Sequence, residues 1–508
     1  MSLKSKIIGI VAARSRKQTY KNASKAIADQ DKWLSYLIEK GQQTAFGKDH
    51  GLERVKDYRA FVSSIPIRGY EEMKPYIERM LQGQANILWL GKPAYLAKTS
   101  GTTSGVKYIP ISKESIGQHI KTARNSVFNY VAESGEDLFS GKMIFISGSP
   151  ELGSKADIKT GRLSGIVNHE IPSWISGNKL PSYKTNCIAD WETKLDNIVE
   201  ETYDQDMRLI SGIPPWVQMY YERLLYKTGK KTIKEIFPNL KVFIHGGVNY
   251  QPYKSTIDQL HGPGVATLET YPASEGFIAY QNELHDEGLL LNTDAGMFFE
   301  FVPLNEIDQE QPSRLTLREV QLDKDYAVII SSNAGLWGYN IGDTIRFTSL
   351  SPFKIKVSGR IKHFISAFGE HVIAKEVEEA IQIINKKFGL TINEFTVAPQ
   401  VNPKEGLPYH EWFIAFDQKP KQPISEIAEA IDAEIARQNI YYQDLIEGQI
   451  LKTLVIRPLA KNAFRDYMKS IGKLGGQNKV PRLMNNRKIV DALDSLRSWT
   501  LDVRPLRY

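Results

Sequence analysis

Apolar residues recur along the chain in distinct registers, and each register predicts a different element. Short apolar runs at residues 143–147, 209–211, 242–244, 265–268 and 326–332 end in Gly, Pro or polar turn residues and predict strands. Helix-length stretches separate them. Pro214 and Pro215 sit where a helix can begin, and residues 216–225 continue it. Strands alternating with helices predict a layered α/β domain with mostly parallel sheets. Residues 1–90 read as helices and loops punctuated by Pro66 and Pro75. Beyond about residue 355 the register changes. Val377, Ala380, Ile381, Ile384 and Phe388 recur at helical spacing, and Ile424, Ile427, Ala428, Ile431 and Ile435 repeat it. Between these helices Trp412, Ile414 and Phe416 alternate with Phe413 and Ala415 in a strand. The expected fold is α/β: a large N-terminal layered domain over residues 1–357 and a smaller C-terminal α+β domain over residues 358–508.

Composition narrows the class without naming a chemistry. With 42% hydrophobic and 24% charged residues, the chain reads as globular rather than disordered or fibrous. Its formal net charge is +7, but basic and acidic residues are interleaved, so the concentrated basic face of a nucleic-acid binder is not expected. The apolar run 7–13 is too short to span a bilayer and ends at Arg14, Arg16 and Lys17, which favours an amphipathic first helix. A cytoplasmic protein with no membrane partner is the expectation. Cys187, the single cysteine, cannot pair within the chain and reads as a small packing residue.

The segment Lys98-Thr-Ser-Gly-Thr-Thr-Ser-Gly-Val-Lys107 carries the most chemistry. Its glycines let the backbone turn several N–H groups towards one anion, its hydroxyls add donors, and Lys107 adds charge. It lacks the GxxxxGK[ST] spacing of a Walker loop. An ordinary Ser/Thr/Gly surface turn has the same composition. A second segment, Glu269-Thr-Tyr-Pro-Ala-Ser-Glu-Gly276, follows the 265–268 run, where ligands meet open parallel sheets. Glu275 there suits a magnesium ion on ATP phosphates, with Ser274 beside it and Tyr271 able to stack on a base; a helix cap at Glu275 is the structural alternative. A third segment, Gly338-Tyr-Asn-Ile-Gly-Asp343, reads as a Gly-Asp turn whose carboxylate can accept both hydroxyls of a ribose.

Together these segments resemble the adenylate-forming superfamily, which includes acyl-CoA synthetases, luciferases and peptide-synthetase adenylation domains. Residues 358–379 resemble its hinge-and-hairpin signature, with Gly-Arg at 359–360, a turn glycine and then a Glu-Val-Glu run; His363 stands where an acidic residue is usual. The chain is most similar to the auxin-responsive acyl acid amido synthetases, first known from plants and also found in bacteria, and a bacterial-type member is expected. Tyr-Pro-Ala-Ser-Glu at 271–275, Tyr-Asn-Ile-Gly-Asp at 339–343 (plant members typically have Tyr-Arg-x-Gly-Asp) and Gln-Asn-Lys-Val-Pro-Arg at 477–482 carry that likeness.

The resemblance implies ATP-dependent adenylation of a carboxylic acid, with magnesium, and transfer of the acyl group to the amine of an amino acid. It implies ATP contacts from Thr99, Ser100, Gly101, Thr102, Thr103 and Lys107, metal binding by Glu275, ribose binding by Asp343, and a hinge contact from Arg360. Lys479 is then the catalytic lysine, carried on a mobile C-terminal domain. Gly246 and Gly247, after the 242–244 run, offer bare backbone to an adenine, although a turn explains them equally. The acid would lie near the helix holding His119, Ala123, Arg124 and Phe128, with Arg124 as a candidate carboxylate partner. His410 and Glu411 invite an acceptor role but read better as a core strand. Two alternatives remain open at this point: an acyl-CoA ligase sharing the adenylation step, and a non-catalytic nucleotide-binding regulator.

Overall fold

The alternation of strand and helix becomes a run of parallel neighbours. Lys142–Ile146, Met207–Gly212, Val242–Gly246 and Ala266–Ala273 lie side by side in parallel, and Lys179–Leu180 extends their outer edge. Parallel neighbours need a crossover, and the helices Trp191–Thr202, Pro214–Thr228 and Gln251–His261 supply it. Pro214 opens its helix at a position whose N–H has no intrahelical partner, and the helix stops at Gly229, which is left-handed with φ 66°. The structure, a computed structural model, describes residues 3–99, 106–248, 250–307, 309–360, 364–370, 372–416, 418–471 and 480–495.

The α/β class holds, with one correction: the large sheet is mixed, not mostly parallel. From Ala266–Ala273 it continues outward through Gly276–Gln281, Leu289–Leu291, Phe353–Arg360, Tyr339–Leu350, Asp325–Ser332 and Met297–Pro303, every pair antiparallel, to make an 11-stranded sheet. The cause is connection length. The joins at 274–275 and 351–352 are too short for a crossover, so the chain can only double back. A 4-stranded sheet holds Lys107–Ile111, Tyr95–Thr99, Ile158–Gly161 and Gly153–Lys155 in that order.

The antiparallel half is packed by aromatic residues. Trp337 is fully buried, stacks on Phe46 at 5.8 Å and donates its indole N–H to the Leu88 carbonyl at 3.0 Å. Glu300 and Arg314 form a buried ion pair at 2.6 Å, and the Tyr58 hydroxyl donates to the same carboxylate at 2.9 Å. Burial therefore leaves no lone charge there.

By contacts the chain forms two compact units, Met1–Thr99 with Lys107–Ala189 and Thr193–Ile361, and a second built on Lys362–Tyr508. The second unit holds the 3-stranded sheet of Ile392–Gln400, Tyr409–Phe416 and Val455–Leu459 with helices Ala374–Phe388 and Ile424–Gln438. Tyr409–Phe416 is buried at all positions. Phe413 and Ala415 pack with Phe464, Tyr467, Val490 and Leu493, so further helices cover a face that the alternation alone would leave wet. His410 is buried on the other face of the strand, 2.8 Å from Glu370, and Glu411 meets Arg457 and Arg487 at 2.5 and 2.7 Å. Among the described residues no helix is long and apolar enough to cross a membrane.

Candidate active site

Strand pairing assembles the candidate site within the larger unit. Thr99 faces Lys107 across an antiparallel pair, so the loop between them is closed at its base. The Lys107 ammonium lies 5.3 Å from the centre of the Tyr70 ring, and the Tyr70 hydroxyl accepts the Tyr108 N–H at 2.9 Å. Ser100, Gly101, Thr102 and Thr103, expected to grip phosphate, lie outside the described residues, as does Lys479.

Tyr271 and Asp343 meet directly. The tyrosine lies in strand Ala266–Ala273, the aspartate in strand Tyr339–Leu350, and the phenol donates to Asp343 Oδ2 with both residues buried. The expected Gly-Asp turn is instead a strand segment. Gly342 takes the left-handed φ of 84° that lets Asn340 Oδ1 receive its N–H at 2.9 Å, and Asp343 is paired through its backbone with Arg360. Ser274 and Glu275 form the two-residue tip of the hairpin that continues the Tyr271 strand, so Glu275 caps no helix. Gly246 faces Thr270 in the neighbouring strand, and a Cβ there would come within 2.3 Å of the Thr270 carbonyl oxygen. Close strand pairing therefore already requires that glycine. Gly247 follows it with φ 82°. Gly246, Tyr271, Glu275, Asp343 and the Arg360 backbone thus belong to one connected region, although 114 positions separate the first from the last.

Beside the hairpin runs helix Lys113–Ser134, whose first turn is fixed by Ser112 accepting the Ser115 N–H at 3.0 Å. It places Gln118 and His119 against a small cavity, with room for about one water, that Glu275, Asn292 and Asn333 also line. His119 is 5.0 Å from the Phe277 ring, and burial pushes its pKa down to about 4, so the imidazole is neutral near pH 7. Arg124 is exposed, lies 5.9 Å from the Phe128 ring and lines neither this cavity nor the neighbouring one.

The sequence offered no signal for Gln118, Asn292 or Asn333, which are isolated amides in unremarkable contexts. Nor did it mark Lys194. That ammonium is buried just past the end of strand Lys142–Ile146 and donates to the Ser147 and Asn186 carbonyls at 2.9 and 2.8 Å. Burial lowers its pKa to about 8. Among the described residues no group of three or more His, Cys, Asp and Glu is placed to hold a metal. The Glu275 carboxylate, at a half-buried hairpin tip, suits magnesium, which takes one or two carboxylates and completes its shell with water and substrate phosphates.

A buried contact between a tyrosine and a carboxylate, a hairpin tipped by a second carboxylate and a loop closed at its base by Lys107 stand on this fold, and solved structures share it. The GH3.15 acyl acid amido synthetase in complex with 2,4-DB is 16% identical, with a TM-score of 0.60 and 95% of each chain covered. 2-Hydroxyisobutyryl-CoA ligase in complex with 2-HIB-AMP and CoA is 12% identical, with a TM-score of 0.58 over 93% of this chain and 92% of that one. The chain belongs to the GH3 family. Its residues 15–183 match the GH3 N-terminal domain, 290–360 the central domain and 375–488 the C-terminal domain, together more than half of the chain. A jasmonoyl–L-amino acid synthetase of Nicotiana attenuata, JAR4, is 22% identical over 387 residues, which cover 62% of this chain and 66% of that protein, just under two thirds of its length.

Proposed function

We propose that the protein is an acyl acid amido synthetase. It joins a carboxylic acid to ATP as an acyl-adenylate, releasing pyrophosphate. It then passes the acyl group to the amine of an amino acid, releasing AMP. The observation that carries this reading is the convergence of Tyr271 and Asp343, from two separated motifs, beside the hairpin tipped by Glu275. Membership of a family with amido synthetases among its relatives favours an amine as acceptor. The fold alone does not choose between amine and thiol, since a CoA ligase shares it.

Adenylation sets a carboxylate against the α-phosphorus of a polyanion, so the site must supply positive charge where the transition state gathers negative charge. Lys107 and the loop 99–103 hold the β- and γ-phosphates, with Ser274 adding a hydroxyl near them. Tyr271 stacks on the adenine beside Gly246 and Gly247, and Asp343 accepts the ribose hydroxyls. Glu275 holds magnesium, which shields phosphate charge when bound. Lys479 bridges the acid and the α-phosphate, and Arg360 marks the hinge at which residues 358–508 turn as a unit. A flexible ammonium suits a role that must arrive and leave.

The test is pyrophosphate release by the full chain with magnesium-ATP, across aromatic, fatty and small acids, with and without a mixture of amino acids or CoA. Acid-dependent release and an amide identified by mass are expected. A thioester without amide would reassign the acceptor, and ATP binding without release under every condition would make the protein a regulator. Lys479→Ala is expected to lower adenylation by at least ~100-fold while sparing ATP affinity; unaltered adenylation would remove the lysine from the chemistry.

A further inference from the structure

Helix Leu3–Ala23 packs along helix Lys113–Ser134, with Ala12 fully buried and Ile8 against the cluster that holds Phe128 and Val131. Its outward side is apolar as well. Ile7, Ile10 and Val11 are 54, 56 and 42% exposed, and spacings of three and four gather them into one patch. A helical stretch that is apolar all round is ordinarily buried, so this one has a side that the fold leaves uncovered. Arg14, Lys17 and Lys21 prolong the same stripe at helical spacing, and all three are exposed, as is Lys6. No Asp or Glu precedes Asp29 in the chain. Arg16, on the flank of the stripe, meets Glu133 at 3.3 Å, but among the described residues Lys6, Arg14, Lys17 and Lys21 form no ion pair.

These features define what can cover the helix. Patch and cations share a stripe about 20 Å long, so the partner must present an apolar layer beside a negative one. A second copy of the same stripe would bring cations together with no acid on either helix to separate them. Nucleic acid would pair the cations but leave the isoleucines against a charged backbone. A bilayer containing anionic lipid supplies both layers. Aliphatic side chains enter the boundary between headgroups and acyl chains, and long basic side chains reach the lipid phosphates. Among the described residues no helix is long and apolar enough to cross a membrane, so such a contact is peripheral.

We propose that helix Leu3–Ala23 docks the larger unit on the surface of a bilayer rich in anionic lipid. It lies in the plane of the headgroups, with Ile7, Ile10 and Val11 inserted and Arg14, Lys17 and Lys21 facing phosphates. This role stands whether or not the protein adenylates an acid.

The experiment is sedimentation of the full chain with vesicles, either of phosphatidylcholine alone or of equal parts phosphatidylcholine and phosphatidylglycerol. The mixed vesicles are expected to bind at least about tenfold more tightly, and the preference to shrink as salt is raised. Ile7→Ser combined with Ile10→Ser, and separately Arg14→Gln combined with Lys17→Gln, are each expected to weaken binding about tenfold or more. All four positions are exposed, so an unchanged unfolding midpoint is expected and serves as the control for folding. Absence of binding to the mixed vesicles, equal binding to both kinds, or binding that survives loss of the isoleucines overturns the proposal. So does a parent chain that is dimeric by light scattering and becomes monomeric when Ile7 and Ile10 are replaced, because the stripe would then belong to a second copy.

Discussion

At the scale of single residues, the contact between Tyr271 and Asp343 sets a problem for any nucleotide. The phenol already occupies Asp343 Oδ2 in a nearly closed environment. A ribose whose two hydroxyls use both carboxylate oxygens must share Oδ2 with the phenol or displace it. Hydrogen bonds to a charged group are worth about 1.5–3 kcal/mol, so Asp343→Ala is expected to weaken AMP binding roughly ten- to a hundredfold. Tyr271→Phe keeps the ring and removes the competitor, and is expected to bind AMP at least as tightly as the unaltered chain. Calorimetric titration of both variants decides the matter. Equal weakening in the two would show that the pair holds the strands together and does not await a ribose. Both residues were legible as chemistry in the sequence, since each lies in a recognisable segment. Their bond was not, because a contact across 72 positions leaves no periodic trace.

At the scale of elements, legibility followed period and connection length. Helices Ala374–Phe388 and Ile424–Gln438 were readable because one apolar stripe with helical spacing faces a core. The hairpin at 274–275 was not. Tyr-Pro-Ala-Ser has the composition of a loop, and only pairing with Gly276–Gln281 draws Pro272 into a strand, opposite Phe277. The antiparallel half of the sheet was missed for the same reason. Gly246 shows the reverse case, a residue legible as special for which strand contact is a sufficient cause. The helix beside the cavity depends on a local signal that can be tested. Ser112 caps it, and Gln118 and His119 lie in its first two turns. Ser112→Ala is expected to cost about 1 kcal/mol of stability and to raise the KM for the acid several-fold, leaving the KM for ATP unchanged. Ser112→Thr, which keeps the cap, should restore both. A change in both KM values, or in neither, would detach the cap from acid binding.

At the scale of the whole molecule, buried histidines in one unit and a buried carboxyl in the other should answer pH with opposite signs. In the larger unit burial pushes His245 down to about 3 and His119 and His261 down to about 4. Below the ordinary histidine value of about 6.5 the unfolded chain takes up protons that the folded unit resists, so stability is full above that value and falls as pH drops towards 4. A shift of this size in one buried histidine corresponds to ~3 kcal/mol by pH 4. In the smaller unit burial raises Glu376 to about 7, against hydrogen bonds from the Ile373 N–H at 3.0 Å and Asn439 Nδ2 at 3.1 Å. A carboxyl raised above its ordinary value reverses the sign: its contribution is complete below about 4.5 and is lost as pH rises through 7. Amide exchange can follow each unit separately, comparing variant and parent at the same pH so that intrinsic exchange rates cancel. Glu376→Gln keeps the acceptor without the charge, so it should protect the smaller unit at pH 8 and have little effect at pH 4.5. His245→Phe, which can still stack on Tyr250 at 3.9 Å, should show the opposite profile in the larger unit, its protection relative to the parent rising from pH 7.5 to pH 5. A pH-independent difference in either variant would mean that its side chain titrates alike in the folded and unfolded chain.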